Sequence, residues 1–493
     1  MAITEAAERL ALYKIIDYLD EDPAEHIEKI MGLVNKFTPD DVFPTQRAAF
    51  SHAIEAKTNW YELMMKVFDL NPLMRTRLLK TLIADANILA WPKQEKMREK
   101  YRCNIPWAIL LDPTSACNLR CTGCWAAEYG HALNLTFEDI DSIIEQGKML
   151  GCNIYIYTGG EPLVRKADII RLCEKHQDCV FLCFTNATLI DKAFCDDIIR
   201  VANFVPAISA EGTRETTDAR RGEGTYDKID HAMDLLRARG IPFGISACWT
   251  SQNADAIASE EYFDWMIDKG ALFCWLFHYM PVGAGAPKEL MPTMEQRARM
   301  YEFVRKMREV KPLFTLDFQN DGEYVGGCIA GGRRYLHINA AGDVEPCVFI
   351  HYSNVNIHNA SLLDALRSPL FMEYYRQQPF NANHLMPCPM LETPMCCQRW
   401  SKSPAPYQPT WSKRSLPTSC ATRRASTLRP GSALPRGYGT IPIARCLKSD
   451  RTPRRAWRQP TYQSRSTSNL TAPTRDKIVT SRSYGRKPVH TVW

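Results

Sequence analysis

Residues 116–125 read A-C-N-L-R-C-T-G-C-W, which spaces Cys117, Cys121 and Cys124 as C-x3-C-x2-C. The triplet follows a short apolar run at 107–111, so it occupies the loop leaving a strand. A cubane iron–sulfur cluster has four irons and usually takes four thiolates. Three ligands in one tight loop hold three irons and leave the fourth open to chelate a small molecule. A zinc site usually takes four ligands in two pairs. Here the fourth would have to come from His131 or a distant cysteine.

Outward from the loop, short apolar runs alternate with longer amphipathic segments. The runs lie at 107–111, 154–158, 180–185, 204–209, 242–248 and 272–279. Helix-like segments lie near 136–150, 166–176, 190–202, 224–240, 258–269 and 293–310. Thr136 caps the first of these, with Asp139 three residues on as its capping-box partner. Six βα units in series predict a parallel sheet with right-handed crossovers, a partial TIM-like (βα)6 barrel. Functional groups should then gather at the strand C-termini.

Four regions are expected: a helical N-terminal region (1–100), the barrel (101–311), a smaller module (312–393) and a basic tail (394–493). Leu12, Ile15, Ile16 and Leu19, and again Ile27, Ile30, Met31 and Val34, repeat at helical spacing. In the module, runs at 335–339 and 344–349 flank a turn at 340–342, and one helix is predicted over 362–376. The chain carries 18 cysteines. Cys152, Cys173, Cys179, Cys183, Cys248 and Cys274 lie in or beside apolar segments and read as small core residues.

Charge divides sharply along the chain. From Pro394 onward there are 20 Lys+Arg against Asp450 and Asp476 alone, leaving 41 Lys+Arg and 53 Asp+Glu before it. The body is near −12 and the tail near +18. The tail lacks Glu and Phe but holds four Trp. It reads as a low-order segment, or as translation out of frame from about residue 391–397. A nucleic-acid-binding tail and an ordinary linker are the other readings; no DNA partner is expected. No apolar stretch approaches ~20 residues, so no transmembrane helix is expected. The N-terminus lacks the basic start and apolar block of a signal peptide, so a cytoplasmic location is expected.

The motifs together resemble the radical S-adenosylmethionine (radical SAM) superfamily, in the branch with a SPASM/Twitch-like auxiliary cluster domain. Residues 157–162 (Y-T-G-G-E-P) resemble its GGEP motif, 184–189 (F-T-N-A-T-L) its TNGTL, and 208–212 with 218–222 (I-S-A-E-G, D-A-R-R-G) two further motifs of that branch. Residues 280–283 (M-P-V-G) lie near its P-x-G. The likeness spans about 103–390. It implies a [4Fe-4S] cluster on Cys117, Cys121 and Cys124, with S-adenosylmethionine bound by Gly159, Gly160, Glu161, Asn186, Ser209 and Arg221, or Arg220 in its place. Gly159 and Gly160 would let the backbone approach the cofactor closely. Many members carry an aromatic residue before the third cysteine; here it is Gly123, with Trp125 as candidate substitute or packing residue. Ala187 replaces the usual Gly.

The spacing of Cys328, Gly342 and Cys347 is similar to the opening of the auxiliary domains and implies a second [4Fe-4S] site. Cys388 is its third candidate ligand and Cys396 or Cys397 its fourth; packing cysteines across a hairpin are the alternative. The resemblance implies reductive cleavage of S-adenosylmethionine to a 5′-deoxyadenosyl radical, hydrogen abstraction from a substrate, and a reductant such as flavodoxin or ferredoxin. The auxiliary module suggests a peptide or protein substrate, the helical N-terminus a lipid. Asp317, Asp321 and Glu323 are candidate bases. A non-enzymatic iron–sulfur or zinc-binding protein is the alternative from another class.

Overall fold

Each of the six central apolar runs becomes a parallel strand: β1 (Ala108–Leu111), β2 (Ile154–Tyr157), β3 (Val180–Thr185), β4 (Phe204–Ser209), β5 (Gly244–Trp249) and β6 (Phe273–His278). A computed structural model describes residues 2–37, 44–283 and 285–392; the tail from 393 on, with Cys396 and Cys397, lies outside them. Ahead of the sheet come α1 (Ala2–Glu21), α2 (Pro23–Phe37), α3 (Pro44–Glu55), α4 (Asn59–Phe68), α5 (Pro72–Leu78), a π-helical turn (Leu79–Leu89) and α6 (Ala90–Tyr101). Between and after the strands lie α7 (Phe137–Leu150), α8 (Lys166–Lys175), α9 (Lys192–Val201), α10 (Arg214–Arg221), α11 (Thr225–Arg237), the short α12 (Ala254–Ile257), α13 (Glu260–Lys269) and α14 (Met294–Val310). The expected capping box starts α7: Thr136 and Asp139 each accept the other's backbone N–H. Gly151, at φ +89°, ends that helix in the left-handed conformation that glycine takes without a Cβ penalty.

The sheet is longer than the six expected strands. Its order is β7-β6-β5-β4-β3-β2-β1-β8-β9, with β7 (Phe314–Asp317) parallel to β6 and β8 (Tyr335–Ile338) parallel to β1. β9 (Val344–Glu345) turns back antiparallel on β8, as the hairpin pattern predicts. The 312–392 stretch therefore continues the barrel's own sheet. Short α15 (Gly322–Val325), α16 (Leu362–Leu366) and α17 (Pro369–Gln377) complete it. The single helix expected over 362–376 is two, because Pro369 has no N–H for an interior helical bond and instead opens α17.

Curvature is evident in the rings of Phe184 on β3 and Trp275 on β6, whose centroids are 5.2 Å apart with two strands between them. One strand face thus lines a lumen with Leu110, Ile154, Ile156, Leu182, Phe184 and Trp275. The other face packs on the helices in the main core. Leu82 and Ala86 of the π-helical turn join the lumen cluster. Arg9 and Tyr13 of α1 donate to buried Asp85 in the same turn. The N-terminal helices are thereby tied to one end of the lumen, as the amphipathic pattern predicts. Among the described residues no helix is long and apolar enough to cross a membrane.

Candidate active site

The loop leaving β1 carries Cys117, Cys121 and Cys124 as free, half-buried thiols. Thr122 N–H donates to the Arg220 carbonyl, 2.9 Å, tying the loop to the end of α10. Cys117 Sγ accepts from Leu119 N–H at 3.4 Å, and Arg221 Nη1 stands 3.8 Å from Cys121 Sγ. Burial pushes the Cys117 thiol up to about 11 and raises Cys124 as well. A metal would therefore have to displace protons to bind there. Among the described residues no three His, Cys, Asp or Glu converge as ligands of a single ion. A cubane binds each cysteine at a separate iron, so its thiols need not converge on one point. His131, the zinc candidate, lines a cavity of about 840 Å³ with Tyr129, Leu133, Asp343 and Asn356.

Arg220 and Arg221 both clamp Glu211, which is fully buried: Arg220 Nη1 to Oε1 is 2.9 Å and Arg221 Nη2 to Oε1 2.6 Å. Burial would raise the Glu211 carboxyl, but the Arg221 and then the Arg220 guanidinium outweigh it and hold the acid ionised. Arg221, expected at the cofactor carboxylate, thus has a protein partner. Two guanidiniums against one carboxylate leave a surplus positive charge beside the thiols, which favours bound thiolate. Cys248, read as a core residue, is half-buried on β5, where burial raises its thiol and the Arg220 and Arg221 guanidiniums oppose that rise. The other five are buried, as expected.

The glycines after β2 also have a reason within the fold. A Cβ on Gly160 would lie 2.2 Å from the Ala116 carbonyl oxygen, and one on Gly159 2.7 Å from Asp112 Cβ. Their smallness admits the chain leaving β1. Two backbone bonds then join the segments, Gly160 N–H to Thr114 O (3.0 Å) and Glu161 N–H to Ala116 O (2.8 Å). Glu161 is not a solvated loop acid. It is 1% exposed and accepts from Thr185 Oγ1, Asn186 N–H and Leu163 N–H. Asn186 Nδ2 donates to Asn118 of the cysteine loop at 2.8 Å. Ser209 ends β4, half-buried and paired in register with Ser246. Ala187 takes φ +61°, the left-handed conformation that glycine would adopt freely.

Gly123 leaves room for a neighbour's ring. A Cβ there would meet Tyr279 at 2.6–3.0 Å, so this tyrosine from the end of β6 fills the space beside residue 123. Trp125 packs edge-on to His337 and Tyr129.

A buried ionic chain that sequence reading missed lies beneath. His337 bridges Asp112 (Nε2 to Oδ1, 2.9 Å) and Glu345 (Nδ1 to Oε2, 2.8 Å), all three at most 1% exposed. Tyr129 OH and Asn339 Nδ2 donate to Glu345 at 2.9 and 3.0 Å. Burial alone would lower the imidazole, but the two carboxylates raise it to about 10. The only local signal was an acid at the end of the first strand.

The candidate bases lie elsewhere. Leu316 is in register with lumen-facing Trp275, so Asp317, the next residue, turns to the helix side. Asp321 pairs with Arg308 at 2.6 Å, and Glu323 pairs with Arg305. Burial, then the charge of Asp321, raises the Asp317 carboxyl to about 6.

Cys328, Cys347 and Cys388 are brought together. Each thiol is raised by burial, Cys388 also feels the charge of Cys328 and Cys347, and Tyr335 OH donates to Cys347 Sγ at 2.9 Å. Gly342 makes the β8–β9 turn at φ +87°.

Residues 111–257 match the family model of the radical SAM superfamily. The chain is similar to an AdoMet-dependent heme synthase of Methanosarcina barkeri, 23% identical over 304 residues that cover 54% of this chain and 86% of that one. It is 26% identical to a PqqA peptide cyclase of Bradyrhizobium diazoefficiens over 267 residues, covering 52% and 69%. Its fold resembles Streptococcus suis SuiB bound to precursor peptide SuiA, with TM-score 0.50 and 18% identity over 70% and 81% of the two chains.

Proposed function

We propose, for a chain that carries a radical SAM domain within residues 111–257, that it is a peptide- or protein-modifying enzyme using S-adenosylmethionine. That superfamily consists of enzymes working with a [4Fe-4S] cluster and S-adenosylmethionine. The chemistry these supply is reductive cleavage to a 5′-deoxyadenosyl radical that takes hydrogen from the substrate. The observation carrying the reading is the set of three free thiols beside the surplus positive charge of Arg220 and Arg221. Cys117, Cys121 and Cys124 would hold the cluster. Gly159, Gly160, Asn186, Ser209 and Arg221 would receive S-adenosylmethionine, the surplus charge at Arg221 meeting its carboxylate. Glu161 would brace the turn from behind. Leu182, Phe184 and Trp275 would keep water from the lumen.

Cys328, Cys347 and Cys388 would carry a second cluster, their gathering around Tyr335 supporting that reading. The peptide substrate is supported by relatives such as the PqqA peptide cyclase. A tetrapyrrole substrate is the second reading, favoured by the heme synthase, most of whose length this chain covers. The lipid alternative rests on the helical N-terminal region alone.

The test is anaerobic. The chain is reconstituted with iron and sulfide, then given dithionite and S-adenosylmethionine. 5′-Deoxyadenosine is expected from the parent and none from Cys117→Ala/Cys121→Ala/Cys124→Ala. A parent that holds four irons per site and yields none overturns the reading.

A further inference from the structure

Asp112 holds one hydrogen bond on Oδ1, from His337, while its other oxygen is buried and has no partner. A buried carboxylate oxygen without a donor is costly, so this position calls for one. Its surroundings define the donor. Asp112 follows β1 on the face of lumen-lining Leu110, at the strand's C-terminal end. Its Cβ and Cγ would lie 2.7 and 2.8 Å from a Cβ on Gly159, so the acid stands directly against the 159–160 turn. Burial raises the Asp112 carboxyl, and the His337 imidazolium beside it opposes that rise. Glu345 is already satisfied by Tyr129, Asn339 and His337. The open acceptor is thus Asp112 Oδ2.

We propose that Asp112 is a cofactor-binding residue, its free oxygen accepting a hydrogen bond from the ammonium group of S-adenosylmethionine at the Gly159–Gly160 turn, and that His337 and Glu345 position it. This rests on the function proposed above. The imidazolium fixes the orientation of the acid and counters its burial. The glycine turn stands directly against the acid, and an ammonium donor makes a stronger hydrogen bond to its unpartnered oxygen than a neutral donor would. The arrangement complements the positive surplus at Arg220 and Arg221, so the two ends of an amino-acid zwitterion meet opposite charges.

The experiment compares S-adenosylmethionine with its analogue lacking the amino group, by anaerobic equilibrium dialysis against the full reconstituted chain. Iron content and visible spectrum report the cluster independently. The parent should prefer S-adenosylmethionine by about tenfold, the scale of one charge-assisted hydrogen bond. Asp112→Asn should lose that preference while keeping the parent's iron content and its affinity for the analogue. His337→Gln, which leaves the carboxylate but removes its cation, should reduce the preference less. Full preference retained in Asp112→Asn overturns the proposal. If that variant does not fold, full preference in His337→Gln together with Asp112→Glu overturns it. A parent that binds neither ligand overturns the functional reading as well, which separates the two failures.

Discussion

At the scale of single residues, charge at the site is placed where burial makes it expensive, and in company. His337 shows this most plainly. Its proton is held between two carboxylates, so its folded-state value rises from 6.5 to about 10. A raised value means the native state binds that proton more tightly than the unfolded chain. The stabilisation is complete below pH 6.5 and is lost as pH climbs toward about 10. Urea midpoints of the parent should therefore fall across that window, and those of His337→Gln should fall less; equal slopes would show that the proton is not held there. Asp112 and His337 were silent in the sequence because a lone acid at a strand end and a lone histidine on a strand carry no mutual signal. Pairing them needs the parallel contact of β1 with β8, between residues more than 200 positions apart. Cys117, Cys121 and Cys124 were legible because their whole geometry lies within eight residues.

At the scale of elements, the loops at the strand C-termini are interlocked through backbone. The turn after β2 receives the chain leaving β1, and Glu161 reaches on to the start of the loop after β3. Gly160→Ala places a Cβ 2.2 Å from the Ala116 carbonyl oxygen, a backbone atom that cannot rotate away. The loop must shift, at a cost of ~1–3 kcal/mol by analogy with overpacked cores. Reconstituted Gly160→Ala should hold markedly less iron than the parent, measured colorimetrically per chain; unchanged iron would show that the two loops are not coupled. Strand and helix positions were readable from period alone, since each strand is an apolar run and each helix an amphipathic one. β7 and β8 were not read as parts of the barrel sheet, because a strand's pattern says that it will be buried and not which edge it will join.

At the scale of the molecule, the last described segment is anchored by one buried ion pair. Arg297 on α14 and Glu392 are both 2% exposed, 2.6 Å apart. Arg297 also donates to Asn320 Oδ1 and the Leu385 carbonyl, and Glu392 accepts the Cys388 N–H. Removing one partner strands the other charge in the core. Arg297→Gln should cost ~3–5 kcal/mol of unfolding free energy. Chemical denaturation measures it; a loss under ~1 kcal/mol would mean that the segment is held by other contacts.

The sequence by itself determined the βα alternation, the helical N-terminal region, the cysteine loop and its family resemblance, because each is written in spacing over a few to a few dozen residues. Tertiary structure alone decided which acids face the lumen, that Glu211 lies between Arg220 and Arg221, and that Tyr279 fills the space beside Gly123. The physical reason is common to all of them. Burial and charge pairing are properties of distance in space, and when strands far apart in the chain become neighbours, one-dimensional spacing no longer measures that distance.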